Sequence, residues 1–326
     1  MPGKSLPGLL SLDTFIPVNV LSTVPLSLAA PAAVAGLAYL NARTSLFYDW
    51  QTLGSLLEGQ IRCALRQKKD NLNLFYVLEE HAKGKLANNT FLVFEGRRWT
   101  YKETYEMALQ YGTWFKTKYG IKSKEIVAMD FMNGDKFLFI WLGLWSIGAK
   151  PAFINYNLTG KALAHCIRVS TTRLAMIDPQ IQGNVTPEVR DELPTVQFEI
   201  FTPELESEVA ATEGVRVENS ERSEDLAQNM AMLVYTSGTT GLPKPAIVSW
   251  SKISISSYLF PGWLGFTNKD VFYTVSRVPQ IPPALTNFAE YASLSFLRFC
   301  ARSLHITSCG RRPRPRQEIL YDYFLG

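Results

Sequence analysis

The sequence predicts an α/β fold, a mostly parallel sheet with helices on both faces. Three observations carry that reading. Short apolar runs recur at residues 91–94, 126–131, 151–155, 174–178, 197–201 and 230–235. Most of the stretches between them are long enough for crossover helices, and several open on capping residues. Finally, 326 residues that are 47% hydrophobic and 19% charged suffice for roughly two domains' worth of core and exclude a disordered chain.

Residues 14–42 come first and hold no charged side chain. As a helix such a run is long enough to cross a bilayer of about 30 Å. Pro17, Pro25 and Pro31 interrupt it, so a kinked span or an interfacial anchor fits better than a straight span. A signal peptide and a buried core helix are the rival readings. Farther on, Arg62, Arg66, Lys68 and Lys69 read as a solvated helix face that could also meet anionic headgroups.

The body then alternates. A short strand at 91–94 turns through Glu95-Gly96 into 97–101. Thr100, with Glu103 three residues on, makes a capping box that opens an amphipathic helix ending near Gly120. The strand at 126–131 leads through Asn133-Gly134-Asp135 into an apolar helix over 136–147, closed by Gly148 and too short to span a membrane. A strand at 151–155, a helix from Thr159 to about Ser170, a strand at 174–178, a short helix at 187–193 and a strand at 197–201 follow. Residues 203–228 are acidic and read as a solvated connector with room for one short helix. The strand 230–235 runs into a glycine-rich loop, and 246–250 reads as the next strand.

Charge and cysteine usage narrow the function. Residues 1–270 balance, while 271–326 hold seven arginines, no lysine and three acids, the source of the whole net charge of +4. A basic excess confined to one tail gives no case for a nucleic-acid-binding body. Cys63, Cys166, Cys300 and Cys309 are too few and too scattered for a disulfide scaffold or a zinc site. His165 and Cys166 fall mid-helix and read as core or surface residues rather than as ligands or nucleophiles.

The most informative stretch is Tyr235-Thr236-Ser237-Gly238-Thr239-Thr240-Gly241-Leu242-Pro243-Lys244-Pro245. Gly238 and Gly241 let the backbone approach a bulky anion, and four hydroxyls stand beside backbone N–H groups that can form an anion-binding nest. Lys244 adds a point charge suited to a polyphosphate. The glycine and lysine spacing differs from a Walker A loop. Sitting between two strands, the loop should hang at the end of the sheet, where α/β proteins bind ligands.

This segment resembles the phosphate-binding signature of AMP-forming acyl-CoA synthetases. Met132-Asn133-Gly134-Asp135, Trp141-Leu142-Gly143-Leu144, Ile147-Gly148-Ala149, Phe153-Ile154-Asn155-Tyr156-Asn157-Leu158-Thr159-Gly160 and His165-Cys166 together resemble the fatty acid transport protein, or very-long-chain acyl-CoA synthetase, branch. The segment Arg98-Trp99-Thr100-Tyr101-Lys102-Glu103 is similar to an early core segment of that family, and an N-terminal membrane segment is typical of it.

The resemblance implies an apolar membrane-associating segment over 1–45 and a partial N-terminal large domain of an adenylate-forming ligase over 46–274, and composition marks 275–326 as an aberrant, disordered Arg-rich tail. It implies activation of a long- or very-long-chain fatty acid by MgATP to an acyl-adenylate, then transfer to CoA, coupled to fatty acid uptake. Thr236, Ser237, Gly238, Thr239, Thr240, Gly241 and Lys244 would hold the ATP phosphates, with Thr240 near Mg²⁺. The partners implied are the fatty acid and membrane lipids, with no nucleic acid. Plasma membrane, endoplasmic reticulum, peroxisome and lipid droplet stay equally open.

The match stops after Asp270-Val271-Phe272-Tyr273-Thr274. No adenine-binding Tyr-Gly-x-Thr-Glu-like motif, ribose-binding Asp or small-domain catalytic Lys is recognised, and the cluster Arg311-Arg312-Pro313-Arg314-Pro315-Arg316 suggests a change of reading frame. A chain truncated in the large domain is the expectation, with no catalytic residue assigned. The alternatives are a catalytically inactive remnant at a membrane and an adenylating ligase for another carboxylic acid such as a bile acid.

Overall fold

The computed structural model describes residues 25–236, 241–266, 272–274 and 304–306. The chain divides into two compact units, Met1–Leu53 and Gly54–Gly326.

Of the uncharged run, the part from Pro25 on is described. Helix α1 (Leu26–Thr44) covers it and ends on Ser45 in the left-handed region, whose N–H bonds the Asn41 carbonyl. Among the described residues no helix is long and apolar enough to cross a membrane. That corrects the expected transmembrane helix for this part: Ser27, Pro31, Gly36, Asn41 and Arg43 dilute the leucines and alanines of α1. Helix α2 (Leu46–Lys68) is amphipathic in an unusual sense. Leu46, Trp50, Leu53, Leu57, Ile61 and Leu65 follow one another three or four positions apart, and each is about half exposed or more. At about 100° per residue they share a stripe about 120° wide.

Helix α3 (Phe75–Ala82) precedes a hairpin of β1 (Thr90–Phe94) and β2 (Arg97–Thr100). The capping box forms as the sequence requires: Thr100 Oγ1 accepts from the Glu103 N–H, and Glu103 Oε2 accepts from the Thr100 N–H at 2.7 Å. It starts α4 (Tyr101–Tyr119), which Gly120 ends. β3 (Ile126–Asp130), α5 (Asp135–Ser146), β4 (Lys150–Ile154), α6 (Gly160–Val169), β5 (Leu174–Ile177), α7 (Pro187–Asp191), β6 (Gln197–Ile200) and α8 (Pro203–Ala211) continue the alternation. Then come β7 (Met230–Thr236), β8 (Lys244–Ser249) and α9 (Trp250–Trp263).

The main sheet runs β6-β5-β3-β4-β7-β8, parallel throughout except for β8 at one edge. Side chains alternate across it with period two. Val127, Met129, Phe153, Leu174 and Met176 join the core with α4 and α5. Ala128, Ile154, Ala175 and Ile177 join a second core with α6 and α7. Both faces are therefore covered, as the near-continuous apolar strands foretold.

Where α4 and α5 cross, a Cβ on Gly143 would lie 2.6 Å from Tyr111 Cβ, so only glycine allows that approach. A smaller sheet runs β2-β1-β10-β9 and takes β9 (Phe272–Thr274) and β10 (Leu304–Ile306) as parallel neighbours. The expectation of a disordered tail otherwise falls outside the described residues.

Residues 203–228 depart from the solvated connector expected. The short helix allowed for is α8, but its Leu205 and Val209 are buried, and a later stretch buries Arg222 and Glu224. Arg222 lies 4.4 Å from the centre of the Tyr76 ring and donates to Glu79. Glu224 pairs with Lys150 at the start of β4. These residues form a strap across the larger core.

Candidate functional site

The site grows from the hairpin of β7 and β8. β7 runs parallel to β4, so its end is a carboxyl end of the sheet, where ligands of α/β proteins collect. Pairing continues to Tyr235 opposite Pro245 and Thr236 opposite Lys244, where Thr236 Oγ1 reaches the Lys244 carbonyl at 3.4 Å. Thr236 and Lys244 thus stand side by side at the end of the two strands. The expectation that the two flanking strands meet at this end of the sheet holds.

Of the expected phosphate-binding residues, Thr236, Gly241 and Lys244 are described. Ser237, Gly238, Thr239 and Thr240, the last with its Mg²⁺ role, fall outside the described residues. Gly241 has φ +85°, where side chains are rarely found, and a Cβ there would meet nothing within 4 Å. Its glycine serves backbone shape rather than packing. Lys244 is exposed at the root of the loop. Among the described residues no group of three or more His, Cys, Asp or Glu could hold a metal.

Helix α6 touches both flanks of the loop. His165 Nε2 lies 3.1 Å from the Pro243 carbonyl oxygen, and the Tyr235 hydroxyl donates to the Cys166 carbonyl at 2.7 Å. A carbonyl only accepts, so Nε2 of His165 carries the hydrogen of that bond. Helical spacing gave no sign of either contact, since they join residues 78 and 69 positions apart. The Cys166 thiol is buried, and burial with Asp130 nearby pushes it up to about 12, so it stays a thiol as its mid-helix position suggested.

Asp130, the last residue of β3, is buried, and neither of its carboxylate oxygens has a hydrogen-bond partner among the described residues. Burial, helped by Asp178 close by, raises it to about 7. The fold therefore binds this proton more tightly than the unfolded chain does. The resulting stability is whole below the ordinary carboxylate range and is lost as pH rises to about 7. Urea unfolding at about pH 5.5 and about pH 8.5 should show the native chain losing about 2 kcal/mol more than Asp130→Asn. Equal losses in the two proteins would contradict a proton held here.

A profile of the family described as AMP-binding enzyme matches residues 78–278. The chain is 32% identical over 260 residues to the very long-chain fatty acid transport protein of Cochliobolus heterostrophus, covering 77% of this chain and 40% of that one. To the protein of the same name from Saccharomyces cerevisiae it is 34% identical over 225 residues, covering 64% of this chain and 31% of the relative. The chain thus spans well under half the length of these two relatives. In fold it is similar to the anthranilate CoA ligase AuaEII solved with anthranoyl-AMP, with TM-score 0.61 and 17% identity over 73% of this chain and 44% of that one.

Proposed function

The chain belongs to the AMP-binding enzyme family, and on that premise we propose that its hairpin loop holds the polyphosphate of ATP in a ligase for long- or very-long-chain fatty acids. The observation that carries the reading is the hairpin. Its paired ends at Thr236 and Lys244, which flank the Ser/Thr/Gly segment in the sequence, lie at the carboxyl end of the sheet, with Gly241 in a backbone shape suited to anion contact. The likeness to two fatty acid transport proteins supports the acid, and the family supports adenylation.

In this reaction the fatty acid carboxylate attacks the α-phosphorus of MgATP, pyrophosphate leaves, and the CoA thiol later displaces AMP. The chemistry asks the protein to position phosphates and balance their charge, not to supply a nucleophile. Thr236, Ser237, Gly238, Thr239, Thr240 and Gly241 would offer N–H and hydroxyl donors, with Thr240 beside Mg²⁺. The Lys244 ammonium would meet the terminal phosphates. The exposed stripe on α2, with Arg62, Arg66 and Lys68 in the second half of the same helix, supports residence at a membrane surface, its leucines and Trp50 in the interfacial layer.

ATP–pyrophosphate exchange tests the reading. Exchange that depends on added oleate or a longer fatty acid is the expected result. Saturable MgATP binding without exchange would leave the chain a phosphate-binding element alone, and loss of both would contradict the proposal.

A further inference from the structure

We propose that Asp130 and Asp178 form a proton-operated latch at the carboxyl end of the main sheet, closed while Asp130 is protonated and released when it ionises. The inference goes beyond the phosphate-binding reading above and uses none of the residues assigned to the phosphates.

The two residues meet where β3 and β5 end. The Asp178 N–H donates to the Asp130 carbonyl at 2.8 Å, closing the ladder between these strands. Both oxygens of the Asp178 side chain are engaged: Oδ1 accepts from the Gln180 N–H at 2.9 Å and Oδ2 from the Met132 N–H at 3.2 Å. One carboxylate thus ties the segment leaving β3 to the turn Pro179–Asn184 that follows β5. That turn reaches on to the exit of β4, where Asn184 Nδ2 donates to the Tyr156 carbonyl at 2.9 Å. Three strand exits are linked through Asp178, at the end of the sheet where α/β proteins bind ligands.

Asp130 has the opposite surroundings. It falls on the same face of β3 as Ala128, in the second core, between Ile154 of β4 and Ile177 of β5. It is only 1% exposed, and no described N–H or O–H reaches either oxygen. The Asp178 carboxylate is the charge close to it, and α6 brings up the Cys166 thiol. His165 and Arg168 of that helix bond Pro243 and Glu192 instead, and Tyr235 of β7 donates to the Cys166 carbonyl. From α7 the inward residue is Val189, while Arg190 lies over the Phe198 ring and Glu188 is exposed. Among the described residues, then, nothing cationic offsets a charge on Asp130.

A neutral carboxyl is tolerated in such a place and an anion is not. Burial and Asp178 together bring its ionisation to about 7. Once the proton leaves, two negative charges face each other, and the one on Asp130 has no route to solvent. Asp178 is half-buried and does have one. Asp178 therefore turns outward, and the N–H groups of Met132 and Gln180 lose their acceptor.

Amide hydrogen exchange of the full chain, corrected for the intrinsic pH dependence of exchange, tests the latch. With ionisation at about 7, the ionised fraction rises about tenfold between about pH 6 and about pH 8. Opening at the Met132 and Gln180 amides should rise to match, about tenfold, while the amides of β3 and β4 hold steady. Asp130→Asn keeps the size of the side chain and cannot ionise, so both amides should stay protected over the whole range. No rise in the native chain, or the same rise in Asp130→Asn, would overturn the latch. Should Asp130→Asn fail to fold, an NMR titration of the native carboxyls decides. The Met132 amide signal should move with the Asp130 carboxyl near neutral pH. An Asp130 that titrates in the ordinary carboxylate range, or a Met132 amide that does not follow it, would sink the proposal.

Discussion

Glu224→Ala will destabilise the protein by about 3–5 kcal/mol, the range found when one partner of a buried ion pair is removed. Lys150 and Glu224 side chains are only 4% and 1% exposed, so neither charge can turn to solvent. The pair is tied in further: the Lys150 ammonium sits 4.9 Å from the centre of the Trp250 ring, and the Glu224 N–H donates to Asp70 at 3.1 Å. Burial pushes the Lys150 ammonium towards deprotonation, and the Glu224 carboxylate opposes it. Alanine at 224 leaves that ammonium to lose its proton or to stay charged without a partner. Urea unfolding at neutral pH measures the loss. The double variant Lys150→Met with Glu224→Leu should recover most of it, because apolar residues of similar volume carry no desolvation cost there. A loss below about 1 kcal/mol for Glu224→Ala would show that the pair does not pin the strap.

Gly148→Ala should cost about 3 kcal/mol, for two reasons that a second glycine separates. Gly148 has φ +78°, and its missing Cβ would stand 2.1 Å from the Glu221 carbonyl oxygen and 2.8 Å from Ser123 Oγ. Ser123 Oγ itself donates to that carbonyl, so a methyl group pushes the strap off the hydroxyl that holds it. At Gly120, φ is +61° and a Cβ would meet nothing within 4 Å. Gly120→Ala therefore carries only the conformational cost, about 1 kcal/mol. Thermal unfolding of the two variants side by side gives the comparison. Equal losses would remove the close approach of strap and β3–β4 region from the account.

Both predictions concern residues that the sequence concealed. The segment 203–228 that carries the strap reads as solvated because it is rich in Glu and Ser, and charged residues are seldom buried. Arg222 is buried by Glu79, 143 positions earlier, and Glu224 by Lys150, 74 positions earlier. No local pattern signals a partner at such a distance. Glu79 shows the same logic: burial works against its charge, but Arg216, Lys83 and Arg222 outweigh it and hold the carboxyl at about 2.

The strands were legible because burial on both faces makes them continuous apolar runs, and α4 because its capping box is written within four residues. Helix α9 was harder to see: Ser-rich, with Pro261 near its end, it lacks a polar face to set against an apolar one. In the candidate site, the loop was legible from the order of its glycines, hydroxyls and lysine. Its attachment was not, since His165 and Tyr235 work through contacts set by tertiary folding.

The central claim is that this loop receives the polyphosphate of a nucleotide. Titrating the full chain with MgATP, beside Lys244→Ala and with inorganic tripolyphosphate as competitor, tests it most directly. The account predicts saturable binding that tripolyphosphate displaces and that Lys244→Ala weakens about tenfold or more, as loss of a charge-assisted contact does. Binding that is absent, or equally strong without the Lys244 ammonium, would contradict it.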